Sequence, residues 1–127
     1  NFTMDLYSEN ILDYYKYPRN KEALKDADIS AEELNPLCGD EITVHLKFDK
    51  DGKVEKATYE GQGCAISQAA ISMLTEELTG KSTSEIKALT NDTIYDMLGI
   101  QISPGRVKCA LLGLVCAKKA AILHENS

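Results

Sequence analysis

The sequence predicts an α+β domain: a small antiparallel sheet with helices packed on one side. Three observations predict it. Residues 41–48 alternate strictly between apolar and polar, an Asp-Lys-Asp-Gly turn at 49–52 lets the chain return beside them, and the second half carries helical patterns without repeated strand-helix alternation. With 127 residues, no fixed repeat and no Pro/Gly/Ser linker, the chain reads as one domain spanning 1–127.

Each element has its own signal. Leu6, Ile11, Leu12 and Tyr15 fall near one helical stripe, which predicts a first helix over 6–15 that stops before Pro18. Residues 29–34 form a brief strand, weakly signalled because Glu32 and Glu33 interrupt it. In the strand at 41–48, Ile42, Val44, Leu46 and Phe48 point one way and Glu41, Thr43, His45 and Lys47 the other. Residues 54–59 return as its antiparallel partner, and Gly61-Gln62-Gly63 leads to Cys64 at a strand-to-helix corner. A helix then covers 65–78, with Gly80 placed to close it. Ser82 and Glu85 have the capping-box spacing for a short helix through Leu89, and 92–98 form another before Gly99. Ser103 and Pro104 are an N-cap and first-position pair for a last helix to about Leu123, with Cys109 in its second turn.

Composition narrows the function. The chain is 43% apolar, and a domain of this size buries roughly two-thirds of its unfolded surface, so disulfide staples are not needed for a core. Its 20 acidic against 14 basic residues give a net charge of −6, which repels phosphate backbones and argues against nucleic acid as a partner. No apolar run approaches the roughly 20 residues of a membrane span, and the acidic, Tyr-rich start lacks a signal-peptide pattern. The expected location is the cytoplasm. In that reducing setting the four widely spaced cysteines are metal ligands, catalytic thiols or small buried hydrophobes rather than disulfides.

Cys38, Asp40, Cys64 and Cys109 each lie at or beside an element end, where distant segments converge. Three thiolates and a carboxylate would complete a tetrahedral zinc site or ligate a [2Fe-2S] cluster. The spacings of 26 and 45 residues match no short metal signature, so burial as small hydrophobes stays open. Gly39, Gly61 and Gly63 beside these positions permit close backbone approach. Cys116 follows Cys109 by seven residues on one helix, about 10.5 Å along its axis, too far for two sulfurs on one zinc; it reads as core. Arg106 and Lys108 flank Cys109, where positive charge and a helix N-terminus favour thiolate, and Lys108 is expected to pair with Asp40 when no metal is bound. His45, on the polar strand face, and His124, near the chain end, are assigned as ligands of nothing. Tyr14, Tyr15 and Tyr17 form either core packing or a partner-docking surface.

The segments Tyr7-Ser8, Pro18-Arg19-Asn20, Asn35-Pro36-Leu37-Cys38-Gly39-Asp40, Gly61-Gln62-Gly63-Cys64-Ala65-Ile66-Ser67 and Arg106-Val107-Lys108-Cys109 together resemble the IscU/SufU-type proteins, also found as the NifU N-terminal domain. The resemblance runs from about Leu6 to Ile122. It implies a three-stranded antiparallel sheet backed by helices, the SufE/IscU-like arrangement. It also implies a site of Cys38, Asp40, Cys64 and Cys109 that holds a transient [2Fe-2S] cluster or Zn2+, with Lys108 beside it. The function implied is an iron-sulfur cluster assembly scaffold or sulfur acceptor. Such a protein takes persulfide sulfur from a cysteine desulfurase, with Cys109 as acceptor, and serves iron-sulfur recipient or carrier proteins. The alternative is a zinc-dependent sulfurtransferase of the SufU type that activates the desulfurase. A carboxylate suits a scaffold because it is a harder, more labile ligand for an iron-sulfur centre than a fourth thiolate. Two features depart from the IscU type: Lys108 replaces the histidine before the third cysteine, and Ile102-Ser103-Pro104-Gly105-Arg106-Val107 replaces the LPPVK chaperone segment. The insertion of roughly twenty residues usual in SufU-type chains between the second and third cysteines is also missing here.

Overall fold

The computed structural model describes residues 9–37 and 39–127. The start of the expected first helix and Cys38 lie outside the described residues. Helix α1 (Glu9–Lys16) is followed by strands β1 (Ile29–Asn35), β2 (Asp40–Phe48) and β3 (Val54–Gln62). Then come α2 (Ala65–Leu78), α3 (Thr83–Ala88), α4 (Asn91–Leu98), a 3-10 turn (Pro104–Arg106) and α5 (Val107–Glu125).

The strands form an antiparallel sheet in the order β1-β2-β3. The alternation read at 41–48 is the sheet's two faces: Asp40, Ile42, Val44 and Leu46 are buried, while Glu41, Thr43, His45 and Lys47 are exposed or half-buried. The strand begins one residue earlier than expected, at Asp40, which puts that carboxylate in phase with the core residues. The Asp49 carboxylate organises the β2–β3 turn by accepting from the N–H groups of Asp51 and Lys53.

β1 is a full strand despite its acids. Only Ala31 and Asn35 on it are buried, so apolar patterning has little to register. Lys119 on α5 donates to the Glu32 carbonyl at 3.0 Å and reaches Glu33 at 3.4 Å, which ties this edge strand to the helix.

α5 packs against β1, β2 and α2, and α2 packs against β3 and α1. α2 is buried almost throughout, from Ile66 to Thr75 and again at Leu78. Two of its buried polar residues are met by the segment after α1: the Arg19 N–H donates to Ser72 Oγ at 2.8 Å, and Asn20 Nδ2 to Thr75 Oγ1 at 3.2 Å. Arg19 also pairs with Asp13 at 2.6 Å and stacks over Tyr14, so the Pro18-Arg19-Asn20 motif serves architecture rather than the cysteine site. Fully buried Ile42, Val44, Leu46, Tyr59, Ile71, Leu74 and Leu78 centre the core, each large apolar side chain stabilising by roughly 1.5–3 kcal/mol.

The helix ends follow their sequence signals with one change. Ser82 and Glu85 make the full capping box. Ser103 makes no side-chain cap bond, because Pro104–Arg106 forms a 3-10 turn first and the α-helix begins at Val107. Cys109 therefore falls in the first α-helical turn, not the second. No helix among the described residues is long and apolar enough to cross a membrane.

Candidate metal centre

Three of the four expected ligands lie within the described residues, each placed by a different element. Asp40 opens β2 after a tight loop: Asn35 is its strand partner, and the Gly39 N–H (φ +70°) donates back to the Asn35 carbonyl at 2.9 Å. Cys64 is the N-cap of α2, with extended backbone and no side-chain cap bond, so its sulfur is not engaged in capping. Cys109 stands on α5 at 2% exposure.

The chain brings these residues together. One ligand atom each from Asp40, Cys64 and Cys109 lies within 4.8 Å of the others. Tetrahedral zinc with Zn–S bonds of about 2.3 Å places neighbouring sulfurs about 3.8 Å apart, so a contraction of about 1 Å closes the set. Asp40 is 2% exposed; its Oδ1 accepts from the Cys64 N–H at 3.0 Å. Its Oδ2 is buried with no hydrogen-bond partner among the described residues. A buried carboxylate oxygen without a donor is costly, and a cation coordinated there removes the cost. The donor set fits zinc or an iron-sulfur centre better than magnesium or calcium, which favour all-oxygen shells.

Lys108 does not fill that gap. Its side chain is exposed and lines a surface groove of about 420 Å³ with Leu34, Leu37, Leu111 and Val115, so the expected Lys108–Asp40 pair is not formed. One residue on a helix is a turn of about 100°, and the phase that buries Cys109 carries Lys108 outward.

Cys116 is separate from the cluster. Its thiol donates to the Ala31 carbonyl at 3.0 Å and the Ile42 carbonyl at 3.5 Å, bridging β1 and β2 beneath α5, and burial pushes its pKa up to about 11. His45 lies 2.6 Å from Ser30 Oγ and 2.8 Å from Glu60, and His124 stacks on Phe48 at 4.2 Å; neither joins the ligand cluster. Tyr14 donates to Glu76 at 2.6 Å against α2, whereas Tyr15 and Tyr17 are exposed.

The model of the NifU-like N terminal domain matches residues 6–126. The chain belongs to this family. Among curated relatives of this NifU-like domain is the zinc-dependent sulfurtransferase SufU of Bacillus subtilis, 37% identical over 95% of this chain and 92% of that protein. Another is the iron-sulfur cluster assembly scaffold protein IscU of Thermotoga maritima, 37% identical over 91% of this chain and 92% of that protein. Among solved structures, a protein assigned as an iron-sulfur cluster assembly scaffold for the SUF system, from Fervidobacterium islandicum, superposes with a TM-score of 0.81. It is 29% identical and aligns over 94% of this chain and 98% of that one.

Two residues of this NifU-like domain gain a place at the site that ligand chemistry alone did not give them. Ser67 is buried and donates to the Cys64 carbonyl at 3.1 Å; Gln68 is buried beside it. Their sequence signal is position, in the first turn of a helix capped by a candidate ligand.

Proposed function

We propose that this NifU-like domain is an iron-sulfur cluster assembly scaffold or sulfur acceptor whose site is Asp40, Cys64 and Cys109 together with Cys38. The observation that carries the reading is the convergence of one ligand atom each from Asp40, Cys64 and Cys109 within 4.8 Å, with Asp40 Oδ2 buried and without a hydrogen-bond partner among the described residues. The [2Fe-2S] cluster is cargo in this reading, and the single carboxylate is the ligand that lets it go.

Cys109 is the sulfur acceptor. Its thiolate attacks the outer sulfur of a persulfide on a cysteine desulfurase; an S–S bond forms to Cys109 as the donor's S–S bond breaks, and the donor's inner sulfur leaves as thiolate. No external oxidant or reductant is required. Burial of Cys109 means that it must turn outward to meet the donor, and it sits close to the joint between the 3-10 turn and α5. Lys108 and Arg106, on the exposed side of that joint, supply positive charge that favours the thiolate.

A second reading, a zinc-dependent sulfurtransferase, is supported by Lys108, which stands where IscU-type chains carry histidine, and by a 37% identity to the SufU of Bacillus subtilis, equal to that to the IscU of Thermotoga maritima. Zinc bound by the same residues would supply the charge that keeps their thiols deprotonated. Aerobic purification with metal analysis, then anaerobic incubation with ferrous iron, cysteine, a desulfurase and a thiol reductant that converts persulfide sulfur to sulfide, separates the readings. Cluster absorbance with sulfur mapped to Cys109 supports the scaffold; stoichiometric zinc without cluster absorbance supports the sulfurtransferase. Full desulfurase stimulation by Cys109→Ser overturns the acceptor role in both. The protein acts in the cytoplasm with iron-sulfur recipient or carrier proteins downstream.

A further inference from the structure

Gly63 lies between the end of β3 and the Cys64 cap of α2, and its backbone does not demand glycine. The positive-φ glycines are Gly39, Gly52, Gly61, Gly80 and Gly99, and Gly63 is not among them. Space demands it instead. A Cβ on Gly63 would lie 2.3 Å from Asp40 Oδ1, 2.8 Å from Asp40 Cγ and 2.6 Å from Ser67 Oγ. Ser67 can yield by rotating one torsion. Asp40 has less freedom, because its Oδ1 is held by the Cys64 N–H at 3.0 Å and its side chain is enclosed.

We infer that Gly63 is a positioning residue whose missing side chain is the slot for the Asp40 carboxylate. The slot keeps Oδ1 on the protein and offers Oδ2 alone, which makes Asp40 a one-oxygen ligand. This inference rests on the metal-site reading given above. It separates the two glycines of Gly61-Gln62-Gly63: a Cβ on Gly61 would strike the Glu41 carbonyl across the strand pair, whereas one on Gly63 would strike the ligand. It also couples two ligands, since the N–H that fixes Asp40 belongs to Cys64. A carboxylate limited to one oxygen disfavours cations that need many oxygen donors and leaves thiolates to dominate selectivity.

The test is an anaerobic titration of the full chain with Co2+, whose visible absorption reports ligand number and type, alongside Zn2+ competition. Wild type is compared with Gly63→Ala, Asp40→Ala and the double variant. The expected result is a Zn2+ affinity for Gly63→Ala about 10- to 100-fold below wild type. Its Co2+ spectrum is expected to match that of Asp40→Ala. Adding Gly63→Ala to Asp40→Ala is expected to change little further, because both act through one carboxylate. Wild-type affinity and spectrum in Gly63→Ala, or a loss that adds in full to that of Asp40→Ala, overturns the inference and leaves the metal site standing. Failure of wild type to bind either ion overturns the site itself and the inference with it. If Gly63→Ala does not fold, rescue of folding by Asp40→Ala supports the slot, and absence of rescue overturns it.

Discussion

Asp40 Oδ1 accepts a hydrogen bond from the backbone N–H of Cys64 at 3.0 Å, so the carboxylate that opens β2 is fastened to the first residue of the α2 corner. Its other oxygen is buried without a hydrogen-bond partner among the described residues. A carboxylate oxygen so placed is costly unless a donor or a cation meets it. Asp40→Asn, which keeps an acceptor for the Cys64 N–H and removes the buried charge, is expected to raise metal-free stability by about 1 kcal/mol while metal affinity falls. Urea unfolding of both forms in the presence of chelator checks the sign. A less stable Asp40→Asn would contradict it.

The three described cysteines differ in access, and their reactivity should rank accordingly. Cys64 is half-buried, Cys109 is 2% exposed, and Cys116 is fully enclosed with its pKa pushed up to about 11 by burial. Brief alkylation of native, metal-free protein with iodoacetamide, followed by peptide mass spectrometry, should label Cys64 before Cys109 and leave Cys116 unlabelled. Labelling of Cys116 as fast as Cys64 would refute the packing described for α5.

Gly61 has a different task from Gly63, and the same substitution should have a different outcome. Its φ is +137°, and a Cβ would lie 2.1 Å from the Glu41 carbonyl oxygen. Backbone strain and overpacking together predict that Gly61→Ala costs about 2–4 kcal/mol of stability, read as a lower denaturation midpoint. Gly63→Ala should retain far more of its stability and lose metal affinity instead.

The capping box before α3 predicts a pH dependence. Glu85 accepts from the Ser82 N–H at 2.9 Å and from Lys53 at 3.1 Å, and these contacts hold its pKa at about 2 against an ordinary 4.5. A carboxylate depressed in the folded state stabilises fully above the unfolded value and loses that contribution as the pH falls toward the folded one. The stability gap between wild type and Glu85→Gln should therefore be constant near neutrality and shrink as the pH drops from about 4.5 toward 2. Denaturation series at several pH values measure it; a gap that widens on acidification would contradict the assignment.

How far these features could be read from sequence depended on whether local pattern or tertiary contact decided them. The β2 alternation and the 65–78 helix were legible because one face of the strand, and nearly all of the helix, is buried. β1 left a faint trace because Ala31 and Asn35 are its only buried residues, while Lys119 meets the Glu33 carboxylate and the Glu32 carbonyl. Helix arithmetic separated Cys116 from Cys109, since seven residues fix a distance whatever surrounds them. The convergence of Asp40, Cys64 and Cys109 was suggested by their places at element ends but left open, because spacings of 26 and 45 residues specify no geometry, and it was the family resemblance that implied the ligand set. The Lys108–Asp40 pair failed for a related reason: neighbouring positions in sequence do not fix the helix phase, and the phase that buries Cys109 exposes Lys108. The role of Gly63 needed coordinates, since a glycine retained for space looks like any other.

One claim is central: Asp40, Cys64 and Cys109 act as a single metal-binding unit and Cys116 does not. Its most direct test is anaerobic Zn2+ stoichiometry and affinity for wild type, Cys64→Ser, Cys109→Ser and Cys116→Ser. One tight Zn2+ in wild type and Cys116→Ser, with marked weakening in Cys64→Ser and Cys109→Ser, is the predicted result. Undiminished binding in Cys64→Ser and Cys109→Ser, or its loss in a folded Cys116→Ser, would contradict the account.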